Sequence, residues 1–211
     1  MYSGIVFGTE KIQKIEENIG YSTIYVTDTQ SFFTDAFIGA SVAIDGVCLT
    51  VKELLTDQGM VSFDISDLTK EVTTLKDLQI GQVVNVERSL KVGMENGGHS
   101  MYGHIESTAL VQNCTFKGET LHLTLKLPSE TIKYFFLKGF IGLHGCSLTV
   151  NHVDKARAEL SVYLIPETLR LTNFKDVQPG QALNFEIDQT TRTLVDTLTH
   201  IYAQQADLKS L

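Results

Sequence analysis

The sequence predicts an all-β protein built as two small antiparallel barrels, and three observations carry that expectation. First, the chain repeats itself. Gly103 lies over Gly4 at an offset of 99 residues, and the same offset sets Gly46 over Gly145, Cys48 over Ser147, Thr50 over Thr149, Asn85 over Asn184 and Glu87 over Glu186. Matches this numerous, with no net insertion, mark an internal duplication. Second, Leu121 to Leu127 alternates apolar and polar residues strictly, the pattern of a strand with one buried face. Third, Val42 to Val51 holds Asp45-Gly46 at its centre, a tight hairpin turn.

The remaining elements follow in chain order. Ser22 to Val26 reads as the first copy's equivalent of Leu121 to Leu127, which Pro128 ends. Met60 to Ile65 and Glu159 to Ile165 are further strands, and Val83 to Glu87 and Ala182 to Ile187 close the copies. In the second copy the hairpin turn is His144-Gly145, a weaker signal of the same kind. Short helical turns are expected at Ser129 to Phe136 and Thr168 to Asn173. About six short strands per copy suit a barrel. Gly93, Gly97 and Gly98 make Ser89 to Ser100 a linker. The domains predicted are 1–97, 98–188 and a terminal helix over 189–211. In that helix Leu194, Leu198, Ile201, Gln205 and Leu208 recur at spacings of four and three. Such a stripe fits either a helix folded onto a barrel or an oligomer seam.

Composition excludes several classes. A net charge of −8 argues against nucleic acid, whose phosphates attract a basic face. No apolar run is long enough for a membrane span, and the opening residues carry no basic segment before an apolar one, so no secretory signal is expected. Cys48, Cys114 and Cys146 are widely spaced, neither a disulfide framework nor a metal knuckle, which fits a reduced, cytoplasmic setting.

Few residues stand out for chemistry. His104 breaks the repeat where the first copy has Ile5, inside a Gly-flanked run. His99 and His104 are five apart with no cysteine or carboxylate at ligand spacing, so no metal site is predicted. Cys48/Thr50 and Ser147/Thr149 each place two small polar groups on one strand face. Ser41, Cys48 and His104 hint at a hydrolase nucleophile, but no G-x-S-x-G elbow supports a triad. Phosphate loops and dinucleotide fingerprints are absent too.

Met1 to Val6, Gly46 to Val51, Asn85 to Arg88, Gly97-Gly98-His99, Gly103-His104-Ile105, Lys138 to Gly142, Gly145 to Val150 and Leu164 to Leu169 together resemble the riboflavin synthases of the alpha-chain type. The resemblance runs from Met1 to about Thr197. It implies two six-stranded Greek-key barrels and a C-terminal helix that builds a homotrimer. It implies a transferase that dismutates two molecules of 6,7-dimethyl-8-ribityllumazine to riboflavin and 5-amino-6-(ribitylamino)uracil, without metal or organic cofactor. Each barrel would bind one lumazine, with the working site between the first barrel of one subunit and the second barrel of a neighbour. Lumazine synthase is the protein partner it suggests.

On that basis Ser41, Cys48, His104, Ser147, Thr149 and Asp188 are the expected catalytic residues. Ring and ribityl contacts are expected from Gly4, Ile5, Val6, Cys48, Leu49 and Thr50, and from Asp64, Ile65, Ser66, Asp67, Leu68 and Thr69. The second set comprises Gly103, His104, Ile105, Lys138, Ser147, Leu148 and Thr149, with Ile165, Pro166, Glu167, Thr168, Leu169 and Arg170. The chain departs from the family pattern at Tyr2, usually Phe, at His144, usually Asp, and at Ser66 to Thr69, where a K-E-T-L-like run is usual. Lumazine proteins share this fold and only bind the chromophore, so a non-catalytic lumazine or flavin binder is the alternative.

Overall fold

A computed structural model describes residues 1–209, with side chains described as far as 205. The first repeat comprises β1 (Gly8–Asn18), β2 (Tyr21–Thr27), β3 (Ser41–Ile44), β4 (Val47–Leu55), β5 (Met60–Ser66), helix α1 (Asp67–Val72) and β6 (Val83–Arg88). The second comprises β7 (Ser107–Lys117), β8 (Thr120–Lys126), β9 (Phe140–Leu143), β10 (Cys146–Asp154), β11 (Glu159–Leu164), α2 (Pro166–Leu171) and β12 (Ala182–Glu186). Helix α3 (Gln189–Lys209) follows. Each repeat closes into an antiparallel barrel, in the order β1-β2-β5-β4-β3-β6 and, equivalently, β7-β8-β11-β10-β9-β12. The fifth strand of each repeat lies between the second and fourth, the crossover of a Greek key.

Local chemistry explains the hairpins. Asp45 and Gly46 have φ of 45° and 82°, and His144 and Gly145 have 46° and 87°. Positive φ at both central residues is the I′ turn, whose twist matches that of the strands it joins. Side chains then alternate. Along β4, Val47, Leu49 and Val51 are buried while Cys48 and Thr50 face outward, and β10 repeats this with Leu148 and Val150 inside and Ser147 and Thr149 outside. Phe63 and Ile12 anchor the first core, and Phe135, Phe174 and Phe185 the second.

The two repeats exchange their opening residues. Val6 packs in the second core, and Ile105 packs against the first. The hydrogen bonds between halves are reciprocal. Tyr2 and Met101 bond each other's backbone, N–H to O, at 2.7 and 3.0 Å. Cys48 N–H donates to Gly103 O at 3.0 Å and Ser147 N–H to Gly4 O at 2.8 Å. Asn85 Nδ2 donates to His144 O at 2.9 Å, and Asn184 Nδ2 to Asp45 O at 3.0 Å. The halves therefore face each other about a pseudo-two-fold axis. The two hairpin turns meet on it, and a Cβ on Gly46 would stand 2.6 Å from Gly145 N.

Helix α3 is held at its first turns. Arg192 pairs with Glu106 at 2.7 Å, Tyr134 Oη donates to Asp196 at 2.6 Å, and Val195 packs on the second core. Leu194, Leu198 and Ile201 are 59%, 51% and 42% exposed, so their stripe does not fold onto the barrel. Gln205 is exposed, and the side chain of Leu208 lies outside the described residues. No helix of the described residues is long and apolar enough to cross a membrane.

Candidate active site

The outward faces of β4 and β10 gather the polar candidates into two half-sites. In the first, Thr50 pairs with Ser41 and Cys48 with Ala43, which puts all four on one face. Val51 pairs with Phe63, so Asp64 and Ser66 continue that face on β5. Asp64 accepts from Thr23 Oγ1 at 2.6 Å and Lys52 Nζ at 3.0 Å. Tyr2 is buried behind Cys48, and its hydroxyl donates to Cys48 Sγ at 3.1 Å. Burial, then the sulfur, holds the Tyr2 phenol far above its ordinary range, so it remains a donor.

The second half-site repeats the frame with other groups. Phe140 takes the place of Ser41 and pairs with Thr149, while Gly142 pairs with Ser147. His99 stacks on Phe140 with ring centroids 4.9 Å apart, and its Nδ1 lies 2.6 Å from Ser147 Oγ. The His99 backbone N–H also donates to that Oγ at 3.2 Å. The serine oxygen keeps a second lone pair, so ring and hydroxyl can exchange the donor role in this bond. His99 Nε2 is buried without a partner. Burial lowers the His99 pKa, against the pull of the Asp188 carboxylate, so the ring is a neutral base. His122 and Tyr163 stack farther along this face at 3.8 Å, where the first half-site has Thr23 and Asp64.

The exchanged openings complete both faces. Gly103 carries φ of 74°, and a Cβ there would lie 2.6 Å from Cys48 Cβ; Gly4 has φ of 72° and the same crowding at 2.5 Å from Ser147 Cβ. Only glycine fits both demands. His104, exposed, thus follows the residue bonded to Cys48, and Ile5 follows the residue bonded to Ser147. Buried carboxylates pin these openings. Glu87 accepts from Ser3 N–H at 2.7 Å, Ser3 Oγ at 2.8 Å and Gly4 N–H at 3.1 Å, and Glu186 accepts from Tyr102 N–H at 2.7 Å and Gly103 N–H at 2.9 Å. Burial pushes Glu87 up to about 7 against those donors.

The other expected residues take four kinds of place. Val6, Leu49, Ile65, Leu148 and Leu169 point into the barrel cores, so only their backbones face outward. Asp188 caps α3, accepting from Thr191 N–H and Oγ1 at 2.7 Å each. Lys138 is exposed, with φ of 65°, and donates its N–H to Val150 O at 2.8 Å, beside Thr149. Ser66, Asp67, Leu68 and Thr69 form the start of α1, and Ile165, Pro166, Glu167 and Thr168 that of α2, with Arg170 in its last turn. Sequence reasoning left His99 and Tyr2 out of the site. The Gly-Gly break before His99, and the single departure at Tyr2, were the signals that could have found them.

Among the described residues no three His, Cys, Asp or Glu side chains gather as for a metal. Two open clefts lie on the surface nearby. One of about 400 Å³ touches Ser3, Ile5 and Gly97, and another of about 500 Å³ lies between the barrels over His144 and Asn173.

Comparison with known proteins matches this arrangement. The family model of the lumazine binding domain matches residues 3–89 and 102–188. The riboflavin synthase of Escherichia coli (strain K12) is 41% identical over 204 residues, covering 96% of this chain and 94% of that protein. That of Chlamydia pneumoniae is 35% identical over 203 residues, covering 96% and 98%. Among solved structures, LumP complexed with riboflavin superposes with a TM-score of 0.82 at 25% identity, covering 90% of this chain and 100% of that one. LumP with 6,7-dimethyl-8-(1'-D-ribityl) lumazine shares the fold, with a TM-score of 0.80 at 24% identity.

Proposed function

The chain belongs to the lumazine-binding family, and from that membership we propose that it is a riboflavin synthase, a transferase acting on two molecules of 6,7-dimethyl-8-ribityllumazine. One lumazine gives up a four-carbon unit and the other accepts it, yielding riboflavin and 5-amino-6-(ribitylamino)uracil. The observation that carries the reading is near-full-length identity of 41% to a riboflavin synthase, joined to two half-sites of one frame.

Bringing two identical rings together supplies much of the rate, because a second-order encounter becomes an oriented contact. A proton must leave a 7-methyl group, and a nucleophile must add at C7 of a ring. His104, beside Cys48, is the proton-transfer group of the first half-site. In the second, neutral His99 draws the Ser147 hydroxyl proton and prepares that oxygen, or a water it holds, to add. Ser41, Thr50 and Thr149 hold rings or water on the same faces. Asp188, through its charge on His99, and Lys138, beside Thr149, support the second half-site. Ring and tail contacts come from the strand ends and from α1 and α2.

The productive pair of half-sites lies between subunits of a homotrimer in this reading. Support comes from the exposed stripe on α3, which a neighbour would cover. A light-scattering mass of three subunits is expected at micromolar concentration, and a single-subunit mass would end the trimer reading. The setting is the cytoplasm, and lumazine synthase, as source of the substrate, is the partner the family resemblance supports. The central test is incubation of purified protein with the lumazine. Riboflavin should appear without added cofactor. The likeness to LumP favours a second reading, a chromophore binder. Saturable lumazine fluorescence with no riboflavin would establish that reading instead.

A further inference from the structure

We propose that Tyr2 is a positioning residue for the reaction proposed above: its buried hydroxyl holds the Cys48 sulfur from behind and leaves the S–H bond to the outward face, where a ring would lie. The proposal rests on that function and adds a residue to its first half-site.

The two half-sites secure their small reactive groups from different places in the sequence. At the offset of 99 the counterpart of Tyr2 is Met101, and the two bond each other's backbone. Both side chains are buried, and each lies under one of the polar pairs. Met101 is under the second. A Cβ on Gly142, which pairs with Ser147, would meet Met101 Cε at 2.5 Å, and one on Gly4 would meet Met101 Sδ at 2.6 Å. A thioether offers Ser147 no donor, and His99 secures that hydroxyl instead, at 2.6 Å. Tyr2 packs with Ala43, which pairs with Cys48, and brings a hydroxyl where Met101 brings none.

A phenol O–H taken out of water needs an acceptor. Tyr2 has one in Cys48 Sγ at 3.1 Å. The contact is fixed at both ends. Tyr2 is tied to Met101 by backbone bonds of 2.7 and 3.0 Å, and Cys48 gives its N–H to Gly103 O at 3.0 Å. A thiol sulfur both accepts and donates, and its hydrogen and lone pairs point in different directions. With the inward direction taken by the phenol, the S–H is turned to the outward side. Cys48 is half-buried, so that side is open to a ligand. A polar group set in place before the substrate arrives needs no reorganisation during the reaction, so the contact acts on rate more than on binding.

Tyr2→Phe tests this, since it removes the oxygen alone and leaves the ring among Ala43 and Met101. Steady-state turnover of the lumazine should show kcat down roughly 3- to 10-fold, the worth of one neutral hydrogen bond. KM and riboflavin affinity should stay within about twofold, because ring packing is untouched. The S–H stretching band of Cys48 gives a second measure. Taken in the infrared as the difference between each chain and its Cys48→Ala form, it should shift on Tyr2→Phe. An unchanged kcat in an active Tyr2→Phe enzyme, or an unmoved band, overturns the proposal and leaves the proposed function standing. A fall in kcat matched by an equal loss of flavin affinity overturns it too, since that pattern belongs to packing. No riboflavin from the unmodified chain overturns the proposed function, and this role with it.

Discussion

The two half-sites share a backbone frame and differ in almost every reactive group. Cys48 is backed by a buried phenol and Ser147 by a buried imidazole; His104 follows the glycine bonded to one and Ile5 the glycine bonded to the other. The frame survives because closing the barrels demands it. Positive φ in both hairpin turns, glycine at both crossings and a carboxylate under each opening leave little freedom. The outward faces carry no such demand. Their chemistry is free to diverge, and a reaction in which one substrate gives and its twin receives calls for divergence.

Four experiments break or sharpen that comparison. The largest effect should come from His104→Gln, with turnover down about 10²–10⁴-fold and the pH profile altered, because a positioned proton-transfer group is lost. Steady-state rates across pH check it, and wild-type rates throughout would remove His104 from the mechanism. On the shared frame, Gly46→Ala drives a Cβ to 2.6 Å from Gly145 N at φ of 82°. We expect about 2–4 kcal/mol lost in thermal unfolding. Gly118→Ala, at φ of 59° with open space, should cost only about 1–2 kcal/mol.

Asn85→Ala and Asn184→Ala should then cost nearly the same. Each side chain donates to the other half and accepts a backbone N–H from it, at 2.8 Å from Asn173 and 2.7 Å from Thr74. Denaturant titration should give about 1–3 kcal/mol for each. A gap as large as the values themselves would break the symmetry of the frame.

The smallest effect concerns His144, which faces Asp45 across the axis, Nε2 to Oδ2 at 3.8 Å. Its Nδ1 accepts Asn184 N–H at 2.9 Å, so protonation would set two donors against each other. Burial lowers the His144 pKa. The unfolded chain therefore takes up the proton first, and stability present above about 6.5 is lost as pH falls, by at most about 1.4 kcal/mol per pH unit. Asp45 is raised by burial, and its contribution runs the opposite way, lost as pH rises. Comparing wild type with His144→Asn removes the histidine together with its pull on Asp45. Parallel stability curves between pH 5 and 7 would show that His144 does not titrate there.

Much of the frame was legible because it is local. The repeat, the hairpins and the outward pairs Cys48/Thr50 and Ser147/Thr149 follow from spacing alone. The long first strands, β1 and β7, were not, since each shifts register, between Ile12 and Lys14 and between Val111 and Asn113, and a bulge spoils the two-residue period. The exchange of Val6 and Ile105 left no trace in the pattern, because an apolar residue reads alike whichever core receives it. His99 has no counterpart in the first copy, so repeat logic passed over it. The family resemblance pointed to both half-sites, while the sequence alone reached only their polar pairs.

The exchange bears on the order in which the protein can be made. A ribosome delivers the chain from Met1 onward, and domains fold as they emerge. The first barrel has all its strands once Arg88 is out, yet its core waits for Ile105 and its Cys48 N–H waits for Gly103. The second barrel, by contrast, finds Val6 and Gly4 already present when its last strand, β12, arrives. The earlier half to be synthesised is the later to be finished, and translation stalled before Gly103 would leave a barrel with an open flank.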